Sequence, residues 1–375
     1  MTWHLSGWKY RREITISEQS GNALSNYQVK VEFGSGDPIF DHARSDAKDI
    51  RFTKDDGVTL IDFWREKWDP DNEQAVFWVE VPGIPANGSA KIYCYYGKPD
   101  ETMDKSDGYA TFDVFCDFET GLDGWTNVSM DTLESSTEQA FCGNAGLKSV
   151  DTTYQKPYLA YKEISFPDTW MMEYALRVAG TDGQAWEVGS KDDDDWSSHL
   201  QWPYLKDGNV RYKLGEATSV DTGVDYSINT WYQFRLVRKG ASSWEIYMFD
   251  ADGNQLYAKT DISFSPDLTQ NAFGKAWNDG TAYTDCIRLR KYASPEPSVS
   301  IGGEEQGPIE LTASVGVGAS PSVQQSLTLS LKTGVKAGSY ALCGLKLPYP
   351  GLLAAVIIGD ELMDARLRLA DGGAC

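Results

Sequence analysis

Long apolar runs are missing from this chain of 375 residues. The longest, Leu352 to Ile358, is one strand's length, so nothing here is built to cross a bilayer as a helix. Helical periodicity is missing too: no stretch longer than about ten residues keeps apolar positions at i, i+3, i+4 and i+7. Histidine is scarce, and the six cysteines (94, 116, 142, 286, 343, 375) contain no C-x-x-C pair, which argues against structural zinc. G-x-S-x-G, H-E-x-x-H and the P-loop are absent. So is the alternating carboxylate string, E-x-D-x-x-E, that sets paired carboxylates on one face for glycoside hydrolysis. Glu245, Asp250 and Asp252 come nearest, but Asp250-Ala-Asp-Gly253 reads as a hairpin turn. The expectation is a protein without enzymatic activity. The first residues, Met1 to Trp8, lack the basic and apolar stretches of a secretory leader.

Aromatics, glycine and acid are abundant. Thirteen Trp, 20 Tyr and 35 Gly suit short aromatic-rich strands joined by tight turns, so the fold class is all-β. The net charge of −21 is uneven: −6 over residues 1–112, −15 over 113–306 and zero over 307–375. Such a surface repels phosphate backbones, which excludes nucleic acid as a partner, and it is able to collect calcium. Cys116, Cys142 and Cys286 fall within one region, where either a disulfide between two of them or small buried thiols would fit. Cys375, at the C-terminus, is a candidate crosslink between copies.

Along residues 1–112, apolar and polar residues alternate at Tyr10 to Ile16 and at Tyr27 to Phe33, with Ser20-Gly21-Asn22 between, which reads as a hairpin. Lys48 to Lys54 is a strand leading into a turn where Gly57 takes positive φ. Phe63 to Trp68, Ala75 to Pro82 and Lys91 to Gly97 continue and close the sheet. The motifs Trp8 to Arg12, "DIRFTKDDG", "FWVEVP" and "IYCYYGKPD" occur in the order found in an uncharacterised β-domain at the front of bacterial and archaeal surface proteins, and residues 1–112 resemble that family. The resemblance implies a β-sandwich and brings no catalytic residue.

From Asp113 to about Gln306 the chain resembles a concanavalin A-like (laminin G-like) jelly roll. The resemblance rests on Asp117 to Trp125 as an opening strand, Glu173 to Val178, and Trp231 to Gly240 pairing with Ser243 to Asp250. It rests also on a last strand, Asp285 to Tyr292, followed by Pro295 and Pro297. In that strand Ile287, Leu289 and Tyr292 are expected in the core, with Arg288, Arg290 and Lys291 in water. Residues 307–375 are nearly uncharged and rich in Ser, Gly, Val and Ala. Flat apolar strands of this kind pair with other chains, so this segment reads as an assembly or attachment module.

The best binding candidate is the run from Trp186 to Tyr204. Trp186, Trp196, Trp202 and Tyr204, with His199, surround Asp192, Asp193, Asp194 and Asp195. Sugar rings dock on aromatic faces while polar groups hold their hydroxyls, and calcium would relieve the repulsion among four adjacent carboxylates. The same residues also fit core strands (Trp186, Trp202) around a solvated turn. Trp277, with Tyr283, forms a second aromatic candidate. The expected function is a non-enzymatic binding protein on a virion surface, a decoration or fibre subunit whose jelly roll takes host glycan and whose tail binds other copies or a scaffold. The alternatives are a purely structural assembly protein and a cell-surface protein that binds or degrades polysaccharide.

Overall fold

The protein is seen in a computed structural model that describes residues 5–151, 155–179, 184–190, 199–266, 271–277 and 280–307, and the strand backbones 309–315, 325–331, 343–346, 353–357 and 366–370. It is nearly all β. Two compact units are present: His4–Glu304, and Met1–Trp3 with Glu305–Cys375.

The larger unit starts with β1 (Tyr10–Ser17), β2 (Leu24–Phe33), β3 (Arg51–Lys54), β4 (Leu60–Ile61), β5 (Phe63–Asp69), β6 (Gln74–Ile84) and β7 (Ser89–Tyr96). Strands β1 and β2 are not a hairpin. β1 pairs with β7, whereas β2 pairs with β6, so the two lie in different sheets. The crossing is fixed by Glu18, whose carboxylate accepts from the backbone N–H groups of Ser20, Gly21 and Asn87, a local competitor to a tight turn. The two sheets enclose one core, with Ile14, Ile92 and Phe52 from one and Val29, Val31, Phe77 and Val79 from the other. Gly57 has φ +70, as its turn requires.

A second sandwich follows: β8 (Val114–Cys116), β9 (Thr126–Asn127), β10 (Thr132–Ser136), β11 (Gly146–Asp151), β12 (Gln155–Glu163), β13 (Trp170–Val178), β14 (Gln184–Ser190), β15 (Leu200–Lys206), β16 (Asn209–Leu214), β17 (Val220–Asp225), β18 (Trp231–Gly240), β19 (Ser243–Asp250), β20 (Gln255–Ser263), β21 (Asn271–Trp277) and β22 (Gly280–Lys291). One sheet orders β10-β11-β22-β13-β18-β19-β20 with β8 beside β22; the other orders β17-β16-β15-β14-β21-β12-β9. Trp170, Tyr174, Phe234 and Trp244 meet Trp186, Trp202 and Phe273 between them. The β18–β19 pair forms as expected, and the Asp250 carboxylate caps the following turn through the N–H groups of Asp252 and Asn254. Residues 117–125 are a loop rather than an opening strand. Asp123 accepts from the Phe118 N–H, and positive φ at Phe118, Gly121, Asp123 and Gly124 takes the backbone out of the extended region. A disulfide joins Cys142 to Cys286, while Cys94 and Cys116 are buried free thiols.

Two readings of the last strand change. Arg288 and Arg290 are buried, at 7% and 4% exposure, because the outer face of β22 packs on the first sandwich. Arg288 donates to Glu66 of β5 and Glu173 of β13 and lies over the Trp64 and Trp78 rings, and Arg290 pairs with Glu296. Burial drives the Glu173 carboxyl upward, but Arg288 and Arg235 outweigh it and hold the group well below the usual range. Tyr292 is only half-buried, and the Lys291 amine donates to the Ser25 carbonyl. After the two prolines, β23 (Ser298–Gln306) returns to pair with β1 at the edge of the first sheet, where Arg12 donates to the Gly302 carbonyl and Tyr96 to Glu304. A strand within the segment read as jelly roll thus completes the first sandwich.

In the smaller unit, β24 (Ile309–Val315) pairs with β25 (Gln325–Leu331), and β26 (Cys343–Lys346), β27 (Leu353–Ile357) and β28 (Arg366–Ala370) form a three-stranded sheet.

Candidate functional site

Strict alternation along β14 sends Trp186 and Val188 into the core, which leaves Ala185, Glu187 and Gly189 on the outer face of their sheet. On β15, Leu200, Trp202 and Leu205 point inward. The registers Glu187↔Gln201 and Ala185↔Tyr204 advance two residues on β14 and three on β15. This bulge places Gln201 and Tyr204 on the same outer face, although an unbroken strand would oppose them. β16 continues the floor, since Lys213 is the partner of Gln201 and Arg211 of Tyr204. Glu187, Gln201 and Lys213 therefore form a row across three neighbouring strands.

The floor is a hydrogen-bonded polar cluster. Gln201 Nε2 donates to Glu187 Oε2 at 3.0 Å, and His199 Nδ1 lies 3.2 Å from Glu187 Oε1. His199 and Glu187 are buried, at 0% and 1% exposure. The imidazole fits because residue 189 is glycine: a Cβ there would stand 2.1 Å from His199 Cδ2. Beside this cluster a cavity of about 230 Å³ is lined by Gln201, Tyr204, Lys213, Glu216, Thr218 and Ser219, among others. Burial raises the Tyr204 phenol above its ordinary range, and Arg211 opposes that rise. One ring, an amide, an ammonium, a carboxylate and two hydroxyls thus converge on a space suited to one or two sugar units.

The residues expected from sequence separate. Trp186 and Trp202, at 0% and 1% exposure, are enclosed in the core and present no face to a ligand. The Trp186 indole donates to Thr284 Oγ1, with the Lys275 amine 4.4 Å from its ring. His199 and Tyr204 belong to the outer-face site. Tyr283 lies on the other sheet, 5% exposed, donating to Glu138. Trp196 and Asp192 to Asp195 lie outside the described residues, in the segment joining β14 to β15, and so does the Trp277 side chain. Sequence reading passed over Glu187, Gln201, Lys213 and Glu216 because it followed the aromatics. Parity alone was enough to find Glu187, since each residue beside a core tryptophan faces outward.

A model of a domain of unknown function (DUF2341) matches residues 46–128. That stretch runs from the turn before β3 to β9 and omits β1 and β2. No curated protein matches the chain. Among solved structures, a cellulose-induced protein, Cip1, is 15% identical with TM-score 0.35, over 48% of this chain and 97% of its own. A protein of unknown function from Shewanella oneidensis MR-1 is 18% identical with TM-score 0.36, over 48% and 86%. Domain 4 of an extracellular arabinanase from Geobacillus stearothermophilus, in complex with arabinotriose, is 12% identical with TM-score 0.28, over 45% and 82%.

Proposed function

We propose that the protein is a non-enzymatic binding protein whose second sandwich, read as a concanavalin A-like jelly roll, takes a glycan on the outer face of the β14–β15–β16 sheet. The carrying observation is the convergence of Gln201, Tyr204, Lys213, Glu216, Thr218 and Ser219 on one cavity. Polyols need an apolar ring to stack on and both donors and acceptors for their hydroxyls. Single sugar sites bind weakly, near millimolar, so display in many copies on a virion or cell surface raises avidity. The weakly charged strands after residue 307 are the element assigned to that multiplicity. Calcium at Asp192 to Asp195 belongs to the same proposal.

The test is the full chain on a broad glycan panel, with calcium and with chelator. A hit that Lys213→Ala and Glu216→Ala each weaken, with unchanged melting temperature, supports the reading, and loss on chelation supports the calcium. A blank in both conditions overturns it in favour of a purely structural assembly protein. New reducing or unsaturated ends after incubation with a bound polysaccharide would refute the absence of catalysis.

A further inference from the structure

The second sandwich region carries a net charge of −15, yet the outer face of β16 carries Arg211 and Lys213 side by side on the site floor. Their Cα partners on β15 are Tyr204 and Gln201, two residues that line the cavity. Arg211 Nη2 lies 3.8 Å from Asp221 Oδ2, whose side chain is 49% exposed. Arg211 Nε is shielded from solvent and has no hydrogen-bond partner among the described residues. The Arg211 side chain as a whole is 24% exposed, and 3.8 Å is beyond hydrogen-bond reach, so an incoming carboxylate would compete with Asp221 for its terminal nitrogens. The Glu187 carboxylate is already taken up by the Gln201 amide and lies beside His199, which leaves Glu216 as the acceptor for sugar hydroxyls.

Resting on the glycan reading above, we infer that the ligand is an acidic polysaccharide, a polymer of uronic acids whose carboxylate is received by Lys213 and Arg211 while its hydroxyls meet Glu216, Thr218 and Ser219 of the adjoining cavity. A planar guanidinium matches a planar carboxylate in shape as well as charge. Elsewhere the acidic surface of this region repels such a polymer, so binding is confined to this stripe.

The experiment sets the full chain against homopolymers of galacturonate, glucuronate, mannuronate and guluronate. Each is paired with the same polymer after carboxyl reduction to the neutral sugar, and a broad neutral panel runs alongside. The expected result is binding to at least one acidic polymer, at least tenfold weaker once its carboxyls are reduced. The Lys213→Gln and Arg211→Gln variants should show a similar loss, while Lys54→Ala, on the first sandwich, binds as the parent does. Equal binding to an acidic polymer and its reduced form, or binding to neutral glycans alone, overturns the acidic-ligand inference and leaves the glycan reading standing. Failure to bind any glycan overturns both. The glutamine variants keep side-chain length and polarity, and a melting curve on each separates loss of binding from loss of fold.

Discussion

Arg288 of β22 donates to Glu66 of β5 at 2.5 Å, across the junction of the two sandwiches. The same guanidinium reaches Glu173 at 2.9 Å, and Arg235 holds the other oxygen of that carboxylate. Around them Trp64, Trp78, Phe112 and Phe115 form a small aromatic cluster. Removing one member of a buried ion group leaves charges without partners, which costs more than the intact group contributes. Arg288→Ala is expected to destabilise the protein by about 3–5 kcal/mol, measured by urea unfolding. A loss below about 1 kcal/mol would mean that the junction does not depend on this residue.

Asp285 gives a pH dependence. Burial pushes its carboxyl up to about 7 from 3.8, against three backbone N–H donors that favour the anion. The folded state thus holds a proton that the unfolded state releases between those two values. Its contribution to stability is whole below about pH 4 and is lost as pH rises through about 7. Asp285→Asn is expected to flatten the decline in unfolding free energy between pH 4 and 7, by a few kcal/mol in order of magnitude. Parallel slopes for the two proteins would contradict this.

The Cys142–Cys286 bridge spans 144 residues. By the loop-entropy account, its removal in a Cys142→Ser, Cys286→Ser double variant is expected to cost up to about 5 kcal/mol. Burial raises the thiols of Cys94 and Cys116, the latter to about 12. Neither should therefore react with a thiol reagent until the protein is denatured. Labelling of the native protein at Cys94 or Cys116, read by peptide mass spectrometry, would count against their burial.

Gly189→Ala puts a methyl group where His199 Cδ2 now lies, 2.1 Å from the ideal Cβ position. With His199 enclosed, the ring has nowhere to go, and a loss of about 1–3 kcal/mol is expected. Glycan affinity should fall with it, since the imidazole sits against Glu187. Unchanged stability and unchanged binding would show that His199 is free to move.

Strand type and most strand positions were legible, because alternation such as that of Trp231 to Gly240 has one reading. Pairing was less so. Strands β1 and β2 look like a hairpin because nothing in their own pattern records that Glu18 is bound to the Asn87 backbone. Arg288 and Arg290 look solvent-facing because alternation marks two faces and does not say what covers the second. At the site, His199 and Tyr204 stand out by residue type, whereas Trp186 and Trp202 fit both a ligand platform and a core strand in the sequence, and the structure places them in the core. The bulge that brings Tyr204 level with Gln201 leaves no mark that alternation would detect.

Strand β23 gives the molecule an order of assembly. β1 is synthesised well before its partner at the sheet edge, β23, which lies nearly 300 residues later. Until then β1 keeps one row of backbone groups open, and the second sandwich must be spooled out in between. The second sandwich is thus, in topology, an insertion between β7 and β23. A cut at residue 112 would separate the front sandwich from its own last strand, and an isolated front half is best expressed with residues 298–306 rejoined through a short linker.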